Sequence, residues 1–226
     1  MKKLLVIWLL LFTPVQPLFC STLQASGKEA TTQAEAKTLT PEARKRDLEE
    51  FMFMREFWFQ MKPHEVQIAP TAEFPKVFSV IMDWPIQSKS SEVIQVLVGA
   101  VADGTSSLYI CSGPTVLGGH SAKEQAQAAI KAAEGIYQSA EPVTSHPLPP
   151  TDEVYFYIRT YNDLLVLRDK QSDLLNGRGN TFQLFVEMNK IISTHLDTIE
   201  KEPEPKLGLD FKSSILKALQ RTNSSP

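Results

Sequence analysis

VIQVLVGAVADGTSSLYICSGPTVLGGHSAKEQAQAAIKAAEGIY, residues 93–137, decides the fold of this chain. Residues 93–102 form a strand with one buried face. Asp103-Gly104 is the dipeptide of a tight hairpin turn. Residues 106–111 return as a strand, with Leu108 and Ile110 on one face and Tyr109 and Cys111 on the other. A glycine-rich corner follows. Ser121 and Glu124 then have the S-x-x-E spacing of a capping box that opens a helix. Ala122, Ala126, Ala129, Ile130 and Ala133 make one apolar stripe along it, small enough for close approach to a sheet.

Upstream, residues 77–84 (VFSVIMDW) read as a strand ended by Pro85, with a turn at 88–91. Before it lies a loop, 63–75. An earlier helix opens at Thr40-Pro41-Glu42, with Thr as N-cap, Pro at the first helical position and an acid at the positive end of the dipole. It runs to about Met61. Its first half is charged, and its second half is apolar around almost the whole circumference. A helix of that kind is buried or docks on something else. Phe53, Phe57 and Phe59 are the candidate interaction face.

Downstream, residues 139–152 are a proline-rich connection, 154–160 and 164–168 two strands, and 171–180 a loop. Residues 181–198 form an amphipathic helix capped by Asn180 or Thr181. The element order is α-β-β-β-α-β-β-α. It implies an α+β fold, a two-layer sandwich with a mainly antiparallel sheet of about five strands and helices packed on it. The βαβ alternation of a doubly wound sheet is absent. One domain is expected over 40–198. A linker and a short amphipathic tail helix (211–219) fill 199–226.

The chain has 226 residues, 42% hydrophobic and 22% charged, an ordinary globular mixture. The N-terminus is different. Lys2 and Lys3 precede the apolar run LLVIWLLLF, and Pro14 and Pro17 break it. This is the layout of a secretory signal peptide, too short to span a bilayer. An uncleaved membrane anchor is the alternative. Ala25-Ser26-Gly27 offers the cleavage site, so 1–27 are assigned as signal peptide and 28–39 as a flexible leader. Cleavage removes two lysines and no acid, leaving 21 basic against 26 acidic residues, a net −5. That balance argues against nucleic acid as a partner. Cleavage also removes Cys20, and Cys111 alone makes no internal disulfide.

Ala102-Asp103-Gly104-Thr105, Ser107-Leu108-Tyr109 and the Gly113…Gly118-Gly119 corner resemble an uncharacterised family of bacterial proteins. Its core reads A-D-G-T-x-S-L-Y-x-S-x-G, followed by a second glycine cluster and a helix. Ile81-Met82-Asp83-Trp84 and Val154-Tyr155-Phe156-Tyr157 are similar to it too. The resemblance covers roughly residues 47–198 and implies a domain without an assigned activity. Pro114 and Thr115 depart from it, standing where the family has glycines. The element order is also similar to profilin-like and roadblock-like sandwiches, an analogy of topology alone.

The corner is the one stretch with a candidate ligand site: Gly113, Gly118, Gly119, His120 and Ser121. Its spacing nearly fits a phosphate loop, but Gly119 stands where a lysine must reach phosphate and His120 where a hydroxyl must meet magnesium. What survives is anion binding at a helix entrance, set against a plain tight turn. Cys111 and His120 lie close enough in sequence to be tested as nucleophile and base. The four histidines are scattered, so no metal site, cofactor or catalytic residue is assigned. The sequence therefore points to an exported protein, periplasmic or extracellular, acting as a non-enzymatic binding or interaction module of the envelope or secretome. Its partner is an unidentified protein, and its membrane contact is limited to the signal peptide or an uncleaved anchor. The alternative is a small-molecule or anion-binding enzyme using residues 113–120.

Overall fold

The protein is described here from a computed structural model, in which residues 40–87, 93–111, 113 and 115–201 are described. The signal peptide, the leader, the 88–91 turn and the tail helix lie outside these residues. The chain divides after His195 into two compact units.

Helix α1 (Pro41–Gln60) begins as its sequence requires: the Thr40 side chain accepts from the Ala43 N–H at 3.2 Å, and proline occupies the first turn. Four strands follow in a meander: β1 (Val77–Gln87), β2 (Val93–Val101), β3 (Ser106–Ile110) and β4 (Thr115–Gly119). Helix α2 (Lys123–Glu134) and a 3-10 turn (Tyr137–Ser139) lead to β5 (Glu141–Pro142), β6 (Glu153–Thr160) and β7 (Leu164–Lys170). Two helices close the order, the short α3 (Gln171–Leu175) and the long α4 (Phe182–Lys201).

The fold is α+β, with one seven-stranded antiparallel sheet in the order β4-β3-β2-β1-β6-β7-β5 and four helices. Seven strands replace the expected five or so. The additional two are β4, whose glycines disguise it as a corner, and β5, two residues ending in Pro142. Both are edge strands, where glycine and proline are tolerated. β1 also runs past its expected end, because Pro85 pairs with Gln95 of β2. Pairing with β6 stops at Asp83, so a residue without an N–H costs no ladder bond on that side. The 171–180 segment, read as a loop, holds α3.

Alternation along β1 separates the two faces. Ile81 and Asp83 point one way with Leu97, Gly99, Tyr109 and Tyr157; Met82 and Trp84 point the other way with Val98, Ser106 and Phe156. Helix α1 meets the first face. Trp58 lies against Gly99, where any Cβ would collide with the indole ring, and Phe59 meets Tyr157 edge-on at 4.7 Å. Helix α4 meets the second: Phe185 packs on Trp84 at 5.2 Å, and His195 bonds Ser106. Helix α2 packs against β1 and β2. Helical side chains therefore reach both faces of the sheet.

Candidate functional site

The glycine corner is built differently from its sequence reading. Gly113 sits at one end of the β3–β4 hairpin, its N–H donating to the Ile110 carbonyl at 2.8 Å. Gly119 pairs with Ser106 at the other end. The five-residue strand β4 ends at Gly119 and begins after Gly113, a length of roughly 16 Å at ~3.3 Å per residue. Gly113 and Gly118-Gly119 therefore cradle nothing together. Gly118 takes a positive φ of 55° where β4 turns toward the helix, and its N–H donates to Ser107 Oγ at 2.8 Å. Cys111 and His120 fall at opposite ends of the same hairpin, which ends their reading as nucleophile and base. His120 is exposed, with Nε2 3.4 Å from Thr105 Oγ1, which itself donates to Asp103 at 3.0 Å.

Ser121 is the corner residue with an unexpected partner. The S-x-x-E spacing predicts that it caps the helix; α2 instead starts at Lys123 with Ala122 as its N-cap and no side-chain cap. Forgoing such a cap costs about 1 kcal/mol. The Ser121 hydroxyl is committed elsewhere, 3.2 Å from Nδ1 of His195. Nε2 of the same ring lies 3.0 Å from Ser106 Oγ. The result is a hydroxyl–imidazole–hydroxyl chain joining the start of α2, helix α4 and β3. His195 is fully buried, and that burial pushes its imidazole down to about 4. It is neutral at pH 7.

Sequence reasoning missed His195 because it lies 74 residues from Ser121 and 89 from Ser106. The available signal was its position on the buried stripe of α4, in step with Met188 and Ile191. A polar ring at a core position needs partners.

A second polar cluster lies under α1. Arg55, 2% exposed, donates from Nε to Asp83 Oδ2 at 2.7 Å and from Nη2 to the Pro147 carbonyl at 2.9 Å. Its guanidinium stacks over Phe59 at 4.8 Å. His146 stacks on Phe59 at 3.9 Å and meets Glu56 at 2.8 Å. Burial pushes the Asp83 carboxyl up to about 6 against the pull of Arg55. The hydrogen bond from His146 holds Glu56 below the usual carboxylate range. Every group here faces another element of the fold, so the cluster reads as a clasp between α1, β1 and the proline-rich connection.

The expected aromatic face of α1 divides. Phe53 is 42% exposed and Phe57 half-buried, but Phe59, at 7%, belongs to the clasp. Helical spacing puts Phe53 and Phe57 on the side facing away from Trp58 and Arg55. Among the described residues, no group of three or more His, Cys, Asp or Glu side chains is placed to hold a metal, and no helix is long and apolar enough to cross a membrane.

Neither a family model, nor a curated protein, nor a solved structure matches the chain significantly.

Proposed function

We propose that this chain is an exported interaction module that docks on a partner protein through the outer face of α1, centred on Phe53. One observation carries the reading. Of the five large apolar side chains exposed among the described residues, three (Leu48, Met52 and Phe53) lie on this single helix. Clustered exposed apolar surface marks an interaction site, whereas scattered residues do not. The signal-peptide layout of residues 1–27 supports export.

The test pairs Phe53→Glu and Phe57→Glu with Leu175→Glu, an exposed apolar position off the helix. Proteins captured from the envelope fraction are expected to be lost with the two α1 variants and kept with the Leu175 variant, all three folding normally by circular dichroism. Retention by both α1 variants, or equal loss in all three, rejects the α1 surface. Export is checked by the N-terminus of the secreted chain, expected at Ser26 or Lys28. A chain still beginning at Met1 in the membrane fraction points to an uncleaved anchor.

A further inference from the structure

We infer that Ser121 is an acyl-accepting nucleophile, with His195 as its general base, acting on carboxylic esters with good leaving groups at the corner between β4 and α2. This goes beyond the docking role of α1 and is independent of it. α1 lies on the opposite face of the sheet from the Ser106–His195 contact.

The geometry supplies the parts that nucleophilic chemistry needs: a nucleophile hydrogen-bonded to a base, and the base fixed by a third group. Ser121 Oγ is 3.2 Å from His195 Nδ1, and Ser106 Oγ is 3.0 Å from Nε2. For Nδ1 to accept the serine proton, the ring carries its own proton on Nε2 and donates it to Ser106. Ser106 is thus a positioning residue. Ser121 is exposed while His195 is wholly covered, so the hydroxyl meets solvent and the base is sheltered from it.

The local chain path fits the same chemistry. A strand, a glycine turn, the serine and then a helix follow one another, the order of a nucleophile elbow. Two features depart from that motif. Lys123 stands where its second glycine would be, and Ser121 is not in a positive-φ conformation. The helix that follows has no side-chain cap, and the first N–H groups of a helix lack intrahelical acceptors. The Lys123 N–H is already given to the His120 carbonyl at 3.1 Å, so the N–H groups left to meet the oxyanion of a tetrahedral intermediate are those of Glu124 and Gln125 in the first turn of α2.

The step balances without a co-reactant. Ser121 Oγ bonds to the ester carbonyl carbon as its proton passes to His195 Nδ1. The intermediate collapses, the carbon–oxygen bond to the leaving group breaks, and the leaving alkoxide takes the proton back from Nδ1. An alcohol departs, the acyl group stays on Ser121, and His195 is again neutral. Burial makes the imidazole a weak base, since a base works best with a pKa near the operating pH. This is why the substrates are esters whose leaving groups need little assistance.

The test uses the folded whole chain with two probes, a fluorophosphonate and p-nitrophenyl acetate. The expected result is a phosphonyl adduct on the peptide containing Ser121 and a burst of one p-nitrophenolate per chain. Ser121→Ala is expected to lose both. His195→Gln should slow labelling by about 100-fold or more. A buried histidine tolerates substitution poorly, so the pH profile of the unaltered chain provides a second readout. Its labelling rate should hold from pH 8 to pH 5 and fall only toward pH 4, because the buried base stays neutral there. Ser106→Ala, by removing the group that orients the ring, should slow labelling and Ser106→Thr should restore it, with the fall still toward pH 4 in both because burial sets the imidazole's value. A folded chain that takes no label, an adduct on another residue, a rate unchanged in folded His195→Gln, or a fall near ~6.5 in the unaltered chain each overturns the inference.

Discussion

Two buried ionisable residues give the chain opposing responses to acid. Asp83 has its carboxyl raised to about 6, against an unfolded value near ~3.9. The folded state therefore binds the extra proton between those values, and this term adds stability as pH falls through 6. His195 is lowered to about 4 from an unfolded value near ~6.5. The unfolded state binds that proton first, so its contribution is complete above ~6.5 and is lost as pH falls toward 4. Each shift corresponds to about 3 kcal/mol, so the two largely offset one another between pH 4 and 6.5. Separating them tests both. Asp83→Asn should lose melting temperature on acidification more steeply than the unaltered chain, and His195→Gln should gain it. Equal slopes in all three proteins would remove both residues from the balance. Asp83→Asn should also lower stability at pH 7, by about 3–5 kcal/mol, since it leaves the buried Arg55 without its counter-charge.

Among the elements, the best-read helix in the sequence is also the most tightly fitted. The start of α1 was legible from Thr40 and Pro41 because a cap is a local device. Its seat on the sheet was not, because Gly99 lies 41 positions beyond Trp58 and nothing local marks a glycine that clears space for an indole. Replacing Gly99 with Ala should cost about 1–3 kcal/mol by overpacking, read as a lower unfolding midpoint in urea. Adding Trp58→Phe should recover part of the loss; a Gly99→Ala chain as stable as the original means the helix shifts freely. Near its C-terminal end, α1 is tied by Arg159, which donates to the Trp58 carbonyl at 2.6 Å and so places a cation at the negative end of the helix dipole. The same division of local from long-range signal explains the other elements. The Asp103-Gly104 hairpin was legible because its turn chemistry is contained in four residues. Strand β4 was not, because Gly118-Gly119 carries the composition of a loop and only pairing with β3 makes it part of a strand. Ser121 departs from its capping-box spacing for a related reason: a distant histidine outcompetes the local N–H for the serine hydroxyl.

At the scale of the whole molecule, antiparallel neighbours build two local groups of strands, and β1–β6 is the seam that joins them. The seam is reinforced by residues that no short-range rule connects: Arg55 and Asp83, and Tyr157, whose hydroxyl donates to the Pro147 carbonyl at 3.1 Å. That is why the fold class was readable from the sequence while the strand order and the clasp were not. The two outer strands carry a further consequence, for solubility. An open sheet edge is a template on which another chain can add a strand. Here one edge is β4, short and carrying Gly118-Gly119, and the other is β5, two residues long with a proline. Neither offers a long regular row of donors and acceptors. Converting Gly119 to Val and Pro142 to Thr together should therefore raise the apparent mass in light scattering at high concentration, with the monomer fold intact; an unchanged mass would mean that the edges are guarded by something other than their brevity. Brevity, glycine and proline in the two outermost strands are, on this view, what keeps the sheet from serving as a template for further strands.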